Sequence, residues 1–372
     1  MGAVTGDLPP SAGAVVVGGG VMGAAALYYL GELGCERPVL VERDTLGSGS
    51  TGRCAGGVRT MFSDELNVRI GLESIRRLEV FSDELGQELD LRLSGYLFLL
   101  ADETDADRFE GDLPLQAELG IGSRMLSPEE TRTIVPGLEV DDLCAAVFNP
   151  RAGTVTPDLV VQGYARAAAD RGARVVQSCA ATRIVVDDGR VTAVETERGT
   201  IVTDRVVLAA GVWSRELART AGFDLPLERM QRWMFFTDGV PQLPAELPLT
   251  IDFSTGFYFH REGDGLAMGG REQTLEEFAP VAAARLPLLE DVGIRSSWWG
   301  YYEVSPDHNA LIGSENGVHY ATGFSGHGFQ QGPVVGEHLA RLALDLEPTF
   351  DLTCFDTARF AAGRRQVEHN FV

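Results

Sequence analysis

Ala14-Val15-Val16-Val17-Gly18-Gly19-Gly20-Val21-Met22-Gly23 reads as a strand that stops at a glycine turn and resumes as a helix. The run from Ala12 to Val17 is short and apolar, and small or apolar residues continue at helical length from Val21 to Leu33. Val39-Leu40-Val41-Glu42 supplies a second buried strand, which closes a βαβ unit of about thirty residues and begins a parallel sheet. In Gly18-x-Gly20-x-x-Gly23 the first glycine permits the turn, the second admits a pyrophosphate, and the third lets helix pack on strand. Backbone amides at that helix N-terminus face the phosphates. Glu42 ends the second strand, nineteen residues past Gly23, where an acid accepts from both hydroxyls of an adenosine ribose. A dinucleotide site follows, with Gly18, Gly20, Val21, Met22, Gly23, Glu42 and the adjacent Arg43 as its first contacts. NAD and FAD share such a half-site.

After Glu42 the chain continues as Gly47-Ser-Gly-Ser50-Thr51-Gly-Arg53-Cys54-Ala55-Gly56-Gly57-Val-Arg59. Small residues in such a run wrap a pyrophosphate and let a flat ring approach the backbone, with Arg59 available to ring or substrate. Asn67 to Leu85 has helical spacing, and Tyr96 to Leu100 reads as a strand leading into an acidic, irregular stretch up to Asp112. Pro157 to Arg171 looks helical. Short strands separated by Asp-Gly and Arg-Gly turns follow at Arg174 to Val176, Arg183 to Val186, Val191 to Glu195 and Ile201-Val202, then a buried strand at Val206 to Ala210. Residues 216 to 308 alternate aromatics with polar partners, as in an antiparallel sheet with one covered face, and Gln330 to Leu344 returns to helix.

Composition bounds the function. The chain has 372 residues, 44% hydrophobic and 23% charged, which is globular and long enough for two domains. Its 54 acidic against 31 basic residues give a net charge of −23, which repels nucleic acid and anionic membranes. No lysine occurs, so Schiff-base chemistry, the lysine-bearing phosphate loop and a protein-kinase reading are excluded. Five scattered cysteines without a C-x-x-C pair, and histidines without ligand spacing, argue against disulfides and metal. A reduced, cytoplasmic protein without a secretory signal or membrane insertion is expected.

The residues from Gly18 to Gly23, Glu42, and Ser50 to Arg59 resemble the D-amino-acid-oxidase superfamily of FAD enzymes. Val206 to Ser214 resembles its second flavin-contacting strand, Trp299 to Gly313 its strand over the flavin, and Ala321 to Phe329 its terminal flavin loop. The nearest branch holds sarcosine oxidase β-subunit-like proteins with proline and dimethylglycine dehydrogenases. The resemblance implies an α/β fold: an FAD-binding Rossmann-like domain of glutathione-reductase type (residues 12–85, 150–215 and 309–372), interleaved with a mainly antiparallel substrate domain (86–149 and 216–308). It adds Ala210, Gly211, Trp213, Gly300, Gly323, Phe324, Ser325, Gly326, His327, Gly328, Phe329 and Gln330 to the FAD contacts. The last loop feeds a helix with Pro333 in its first turn, whose positive end suits a reduced flavin. The substrate cavity is expected to draw on Tyr258, His260, Arg261, Tyr301, Tyr302, Arg59 and His327. Ser325 lacks the spacing and partners of a hydrolase nucleophile.

Relatives with covalent flavin attach it through a cysteine or a histidine at positions that here hold Gly300 and Arg53, so non-covalent FAD is expected. Where monomeric sarcosine oxidases keep an oxygen-activating lysine, this chain has Leu266, Ala267 and Met268. Phe62 and Gln330 stand where those enzymes hold the substrate carboxylate, and Tyr302 where glycine oxidases keep arginine. The expected activity is hydride removal from the carbon beside a secondary or tertiary amine, giving an imine that water hydrolyses. Oxygen or another acceptor would take the electrons, and a homo- or hetero-oligomer is open. Oxidation of a 2-hydroxy acid or primary amino acid, a non-catalytic flavoprotein subunit or assembly factor, and an NAD dehydrogenase stay as alternatives.

Overall fold

A computed structural model describes residues 7–365 and 367–370. The opening βαβ unit sits at the centre of a six-stranded sheet. Its order is Leu311–Glu315, Val318–Thr322, Val206–Leu208, Ala14–Val17, Pro38–Val41, Arg174–Val176, parallel except for the first pair. These strands read as continuous apolar runs because both faces are covered. Val16, Leu40, Val175, Val207 and Ile312 pack under the helices Val21–Glu32, Pro157–Asp170 and Gly328–Ala343. Val15, Val17, Val39, Val176 and Leu208 face the other way, onto the three-stranded sheet of Ala181–Asp187, Arg190–Thr196 and Gly199–Val202.

The helices Val21–Glu32 and Gly328–Ala343 cross closely because small residues meet there. A Cβ on Gly336 would lie 2.4 Å from the Cβ of Ala25, and one on Gly332 would lie 2.6 Å from Val21 Cγ2. Both N-termini therefore open toward one space. Pro333 is the sixth residue of its helix, not in the first turn as expected, because the helix already starts at Gly328.

The second layer is an eight-stranded sheet in the order Ile294–Val304, Glu228–Thr237, Gly265–Gly269, Tyr258–Glu262, Leu249–Asp252, Tyr96–Leu100, Ala145–Asn149, Arg124–Leu126. All neighbours are antiparallel except Leu249–Asp252 with Tyr96–Leu100. The acidic stretch after Leu100 is not irregular. It forms the helix Glu103–Glu118, capped by the Asp102 carboxylate, which accepts from the amides of Thr104 (2.7 Å) and Asp105 (3.4 Å). Buried Phe109 pins it through ring contacts at 5.3 Å with Phe98 and Phe253. Among the described residues no helix is long and apolar enough to cross a membrane.

Candidate active site

The two sheets enclose a cavity of about 630 Å³ that starts at the first glycine turn. Gly18, at φ +110°, could carry no side chain, since a Cβ would meet the Ala209 carbonyl oxygen at 2.3 Å. Gly23 lies off the cavity and acts through packing, as a Cβ there would stand 1.9 Å from Gly18 O. Gly20, Val21 and Met22 line the cavity with the helix N-terminus behind them, and the Val21 amide donates to Thr51 Oγ1 at 3.1 Å. The Glu42 carboxylate accepts from the amides of Gly19 (2.7 Å) and Asp44 (2.8 Å), which fixes it at the cavity edge with lone pairs to spare. Beside it the Arg43 guanidinium stacks 3.5 Å over the Trp213 ring.

Ser50, Thr51, Arg53, Cys54, Ala55, Ala210, Gly211, Gly300, Phe324, Gly326, Gly328 and Phe329 line the same space. Arg53 donates to the carbonyls of Ser48 (3.1 Å) and Trp299 (2.9 Å), and a Cβ at Gly300 would stand 2.9 Å from Arg53 Cβ. Ser50 Oγ donates to the Tyr301 carbonyl at 2.7 Å. Gly323, at φ +72°, lies outside the cavity and packs on Leu311 and Leu227. A cavity of this volume, lined by glycines beside a helix N-terminus, by the Glu42 carboxylate and by the Arg43–Trp213 pair, fits FAD.

A smaller chamber of about 90 Å³ adjoins it. Cys54, Ala55, Tyr258, Tyr302, Gly326 and Phe329 border both spaces, while Gly56, Gly57, Arg59, Tyr96, Leu249, Ile251, Ser325, His327 and Gln330 belong to the chamber alone. Gly57 has to be glycine, because a Cβ would fall 1.8 Å from the Tyr96 hydroxyl. The Gln330 side-chain oxygen accepts the Arg59 amide at 2.6 Å. Arg59 is buried, and its guanidinium donates to the carbonyls of Met61 and of Asn370 (2.9 Å) and lies 4.3 Å over Phe62. Burial pulls its pKa below the ordinary arginine value. Among the described residues no carboxylate forms an ion pair with it.

Burial also tunes the neighbours. His327 is pushed down to about 4, first by burial and then by Arg59, so it is neutral; its Nε2 lies 3.1 Å from the His308 carbonyl and is the protonated nitrogen. The Cys54 thiol is pushed up to about 12 by burial, and the hydroxyls of Tyr96, Tyr258 and Tyr302 are raised for the same reason. Tyr258 donates to Met234 Sδ at 2.8 Å.

Two expected substrate-cavity residues do not reach the space. Strand alternation turns Arg261 to the far side of its sheet, where its guanidinium binds the carbonyls of Pro244, Val240, Leu243 and Asp264. His260 shares the face of Tyr258 but is buried behind the chamber, with Nδ1 2.8 Å from the Arg261 carbonyl; burial lowers its pKa. Tyr301 lines only the large cavity. Sequence reasoning missed Tyr96, Arg232 and Glu303. Arg232 lies 5.5 Å from the Tyr302 ring, and the Glu303 carboxyl, accepting from Thr322 Oγ1 at 3.2 Å, is pushed up to about 7 by burial. Only Tyr96 carried a signal, the glycine-preceded start of a buried strand.

The chain matches the family described as DAO, FAD dependent oxidoreductase, over residues 14–342. It belongs to that family. Human mitochondrial sarcosine dehydrogenase is 33% identical over 95% of this chain and 42% of its own length. The mouse mitochondrial dimethylglycine dehydrogenase is 28% identical over 93% of the chain and 44% of its own. This member of the family thus spans less than half the length of those relatives. Among solved structures, L-proline dehydrogenase from P. horikoshii superposes with a TM-score of 0.89 at 30% identity, covering 96% of this chain and 100% of that one. The family uses FAD, and the α/β architecture expected from the sequence is the one these flavoenzymes share.

Proposed function

We propose that this chain oxidises the C–N bond of a small secondary or tertiary amine that carries a carboxylate, with FAD in the large cavity and the amine in the inner chamber. FAD, when bound, supplies the acceptor for a hydride. The single observation that carries the reading is Arg59: a buried guanidinium lining a chamber of about 90 Å³, with spare donors and, among the described residues, no carboxylate in an ion pair with it. A charge left so exposed to its own desolvation gains most from a small anionic ligand, and a planar fork suits a carboxylate. The names of the relatives agree, since sarcosine, dimethylglycine and proline are small amines of this kind.

The chain's residues then have separable tasks. Arg59 fixes the carboxylate end. Tyr96, Tyr258 and Tyr302 surround the amine, and together with Leu249, Ile251 and Phe329 they exclude water. Desolvation lowers the pKa of a bound ammonium and favours the neutral amine, whose nitrogen lone pair is needed as the C–H bond breaks. A neutral His327 adds no second positive charge beside Arg59. Arg53 and Gly300, at the two positions of covalent attachment, support FAD held without a bond to the chain. Five free cysteines support a reducing compartment. The lack of lysine supports slow re-oxidation in air and transfer to another acceptor.

Anaerobic mixing of the holoprotein with N-methyl amino acids, proline, matching amines without a carboxylate, and 2-hydroxy acids tests this. Bleaching of the flavin by the carboxylate-bearing amines and not by the others is the expected result. Bleaching by 2-hydroxy acids alone overturns the C–N assignment, and a flavin that none of them reduces overturns the catalytic reading.

A further inference from the structure

Arg59 is held by a part of the chain far away in sequence. Its Nη2 donates to the carbonyl of Asn370, and both Asn370 and Glu368 are fully buried although they lie outside every strand and helix. The Glu368 carboxylate is the anchor. It accepts from the Ser63 amide (3.0 Å), from Asn67 Nδ2 (3.3 Å) at the start of the helix Glu65–Glu79, and from the Asn370 amide (2.8 Å). Further ties run from the His369 amide to Ser63 Oγ (3.1 Å), from the Glu368 amide to the Asp307 carbonyl (3.1 Å), and from Asn370 Nδ2 to Asp112 (3.2 Å) on the helix Glu103–Glu118.

Burial lowers the Arg59 pKa and the Glu368 carboxylate raises it through space, but among the described residues the guanidinium makes no hydrogen bond to a carboxylate. The carbonyls of Met61 and Asn370 instead take two of its N–H groups and leave the charge and the remaining donors to the chamber. Such acceptors stay in place only if their own backbone is fixed: Met61 is fully buried, and the Asn370 amide is tied to the Glu368 carboxylate. We propose that the segment Val367–Asn370 is a positioning strap, in which Glu368 holds the Asn370 carbonyl against Arg59 and so sets the direction in which the guanidinium meets the substrate carboxylate. The inference rests on the assignment of Arg59 as carboxylate anchor. Glu368 is a positioning residue and touches neither substrate nor cofactor. Burial is the main cause that pushes the neighbouring Asp64 carboxyl up to about 6, and a glutamine at 368 keeps a side-chain oxygen for the Ser63 and Asn370 amides.

The test is titration of holoprotein with propionate, a carboxylate that cannot be oxidised at an amine, followed by the flavin's visible spectrum. Glu368→Ala is expected to weaken propionate about tenfold, with flavin content unchanged, because an anchor displaced by about 1 Å loses its aligned contacts. Glu368→Gln is expected to stay within about threefold of the unaltered protein. For any amine that reduces the flavin, KM rises in Glu368→Ala while kcat stays within about threefold. If Glu368→Ala does not fold, the double variant Ser63→Ala/Asn370→Ala cuts two of the ties with Glu368 in place and is expected to weaken propionate about threefold or more. Arg59→Met separates the two claims. Propionate bound as tightly by Arg59→Met as by the unaltered protein overturns the carboxylate anchor and the strap with it. Binding lost in Arg59→Met but unchanged in the strap variants overturns the strap alone.

Discussion

Glu303 offers a stability test that is independent of catalysis. Its carboxyl borders the large cavity, accepts from Thr322 Oγ1 at 3.2 Å, and is raised from 4.5 to about 7 by burial. In the apoprotein the unfolded chain gives up this proton near pH 4.5, while the folded chain keeps it until about pH 7. Between those limits the folded state binds more protons, so stability falls as pH rises; above about pH 7 the penalty is constant. At about 1.4 kcal/mol per pH unit the full effect is ~3 kcal/mol, and water in the cavity reduces it to ~2 kcal/mol. Glu303→Gln keeps an oxygen for Thr322 and removes the titration. Urea unfolding of both apoproteins from about pH 4.5 to about pH 7.5 reads the difference, expected as a midpoint loss of about 0.5 M in the unaltered protein relative to the variant, for a slope of about 4 kcal/mol/M. Asp64 titrates in the same direction in both proteins and cancels. Parallel pH curves for the two would show that Glu303 ionises at an ordinary value, and the buried carboxyl would lose its place in the account.

Other outcomes follow from single contacts. Gly20→Ala, whose Cβ would lie 3.0 Å from Thr51 Oγ1 on the phosphate side of the turn, is expected to fold and to bind FAD at least about tenfold more weakly, measured by flavin fluorescence quenching. Arg359→Met leaves the fully buried Asp307 without its ion pair (2.8 Å) and is expected to cost about 3–5 kcal/mol in denaturant unfolding. Tyr302→Phe removes a chamber hydroxyl and is expected to lower kcat/KM by about tenfold or less, whereas Tyr258→Phe, whose hydroxyl is already engaged with Met234 Sδ, changes it by less than about threefold.

What could be read from the sequence divides along a physical line. Gly18, Gly20, Gly23 and Glu42 were legible because a backbone turn and a strand-end acid impose residue types at fixed spacing, and the structure brings Gly18, Gly20 and Glu42 to one cavity edge with Gly23 packed behind the turn. The inner chamber was legible only in part. Arg59 was visible as a candidate, but its carbonyl partner is 311 residues away at Asn370, and no local pattern encodes that. Arg261 was drawn into the site by its neighbours Tyr258 and His260, although a period of two places it on the opposite face, where one loop offers the carbonyls of Val240, Leu243 and Pro244 and its own hairpin turn that of Asp264. The helix Glu103–Glu118 was hidden by Gly111 and Pro114, and its two signals, Asp102 as cap and Phe109 as buried anchor, are short.

The visible spectrum of the purified, FAD-incubated protein, taken before and after acid precipitation, bears most directly on the central claim. A yellow protein whose flavin passes wholly into the supernatant when the chain is denatured is the expected result. A protein that stays colourless, or a chromophore that sediments with the polypeptide, would contradict it.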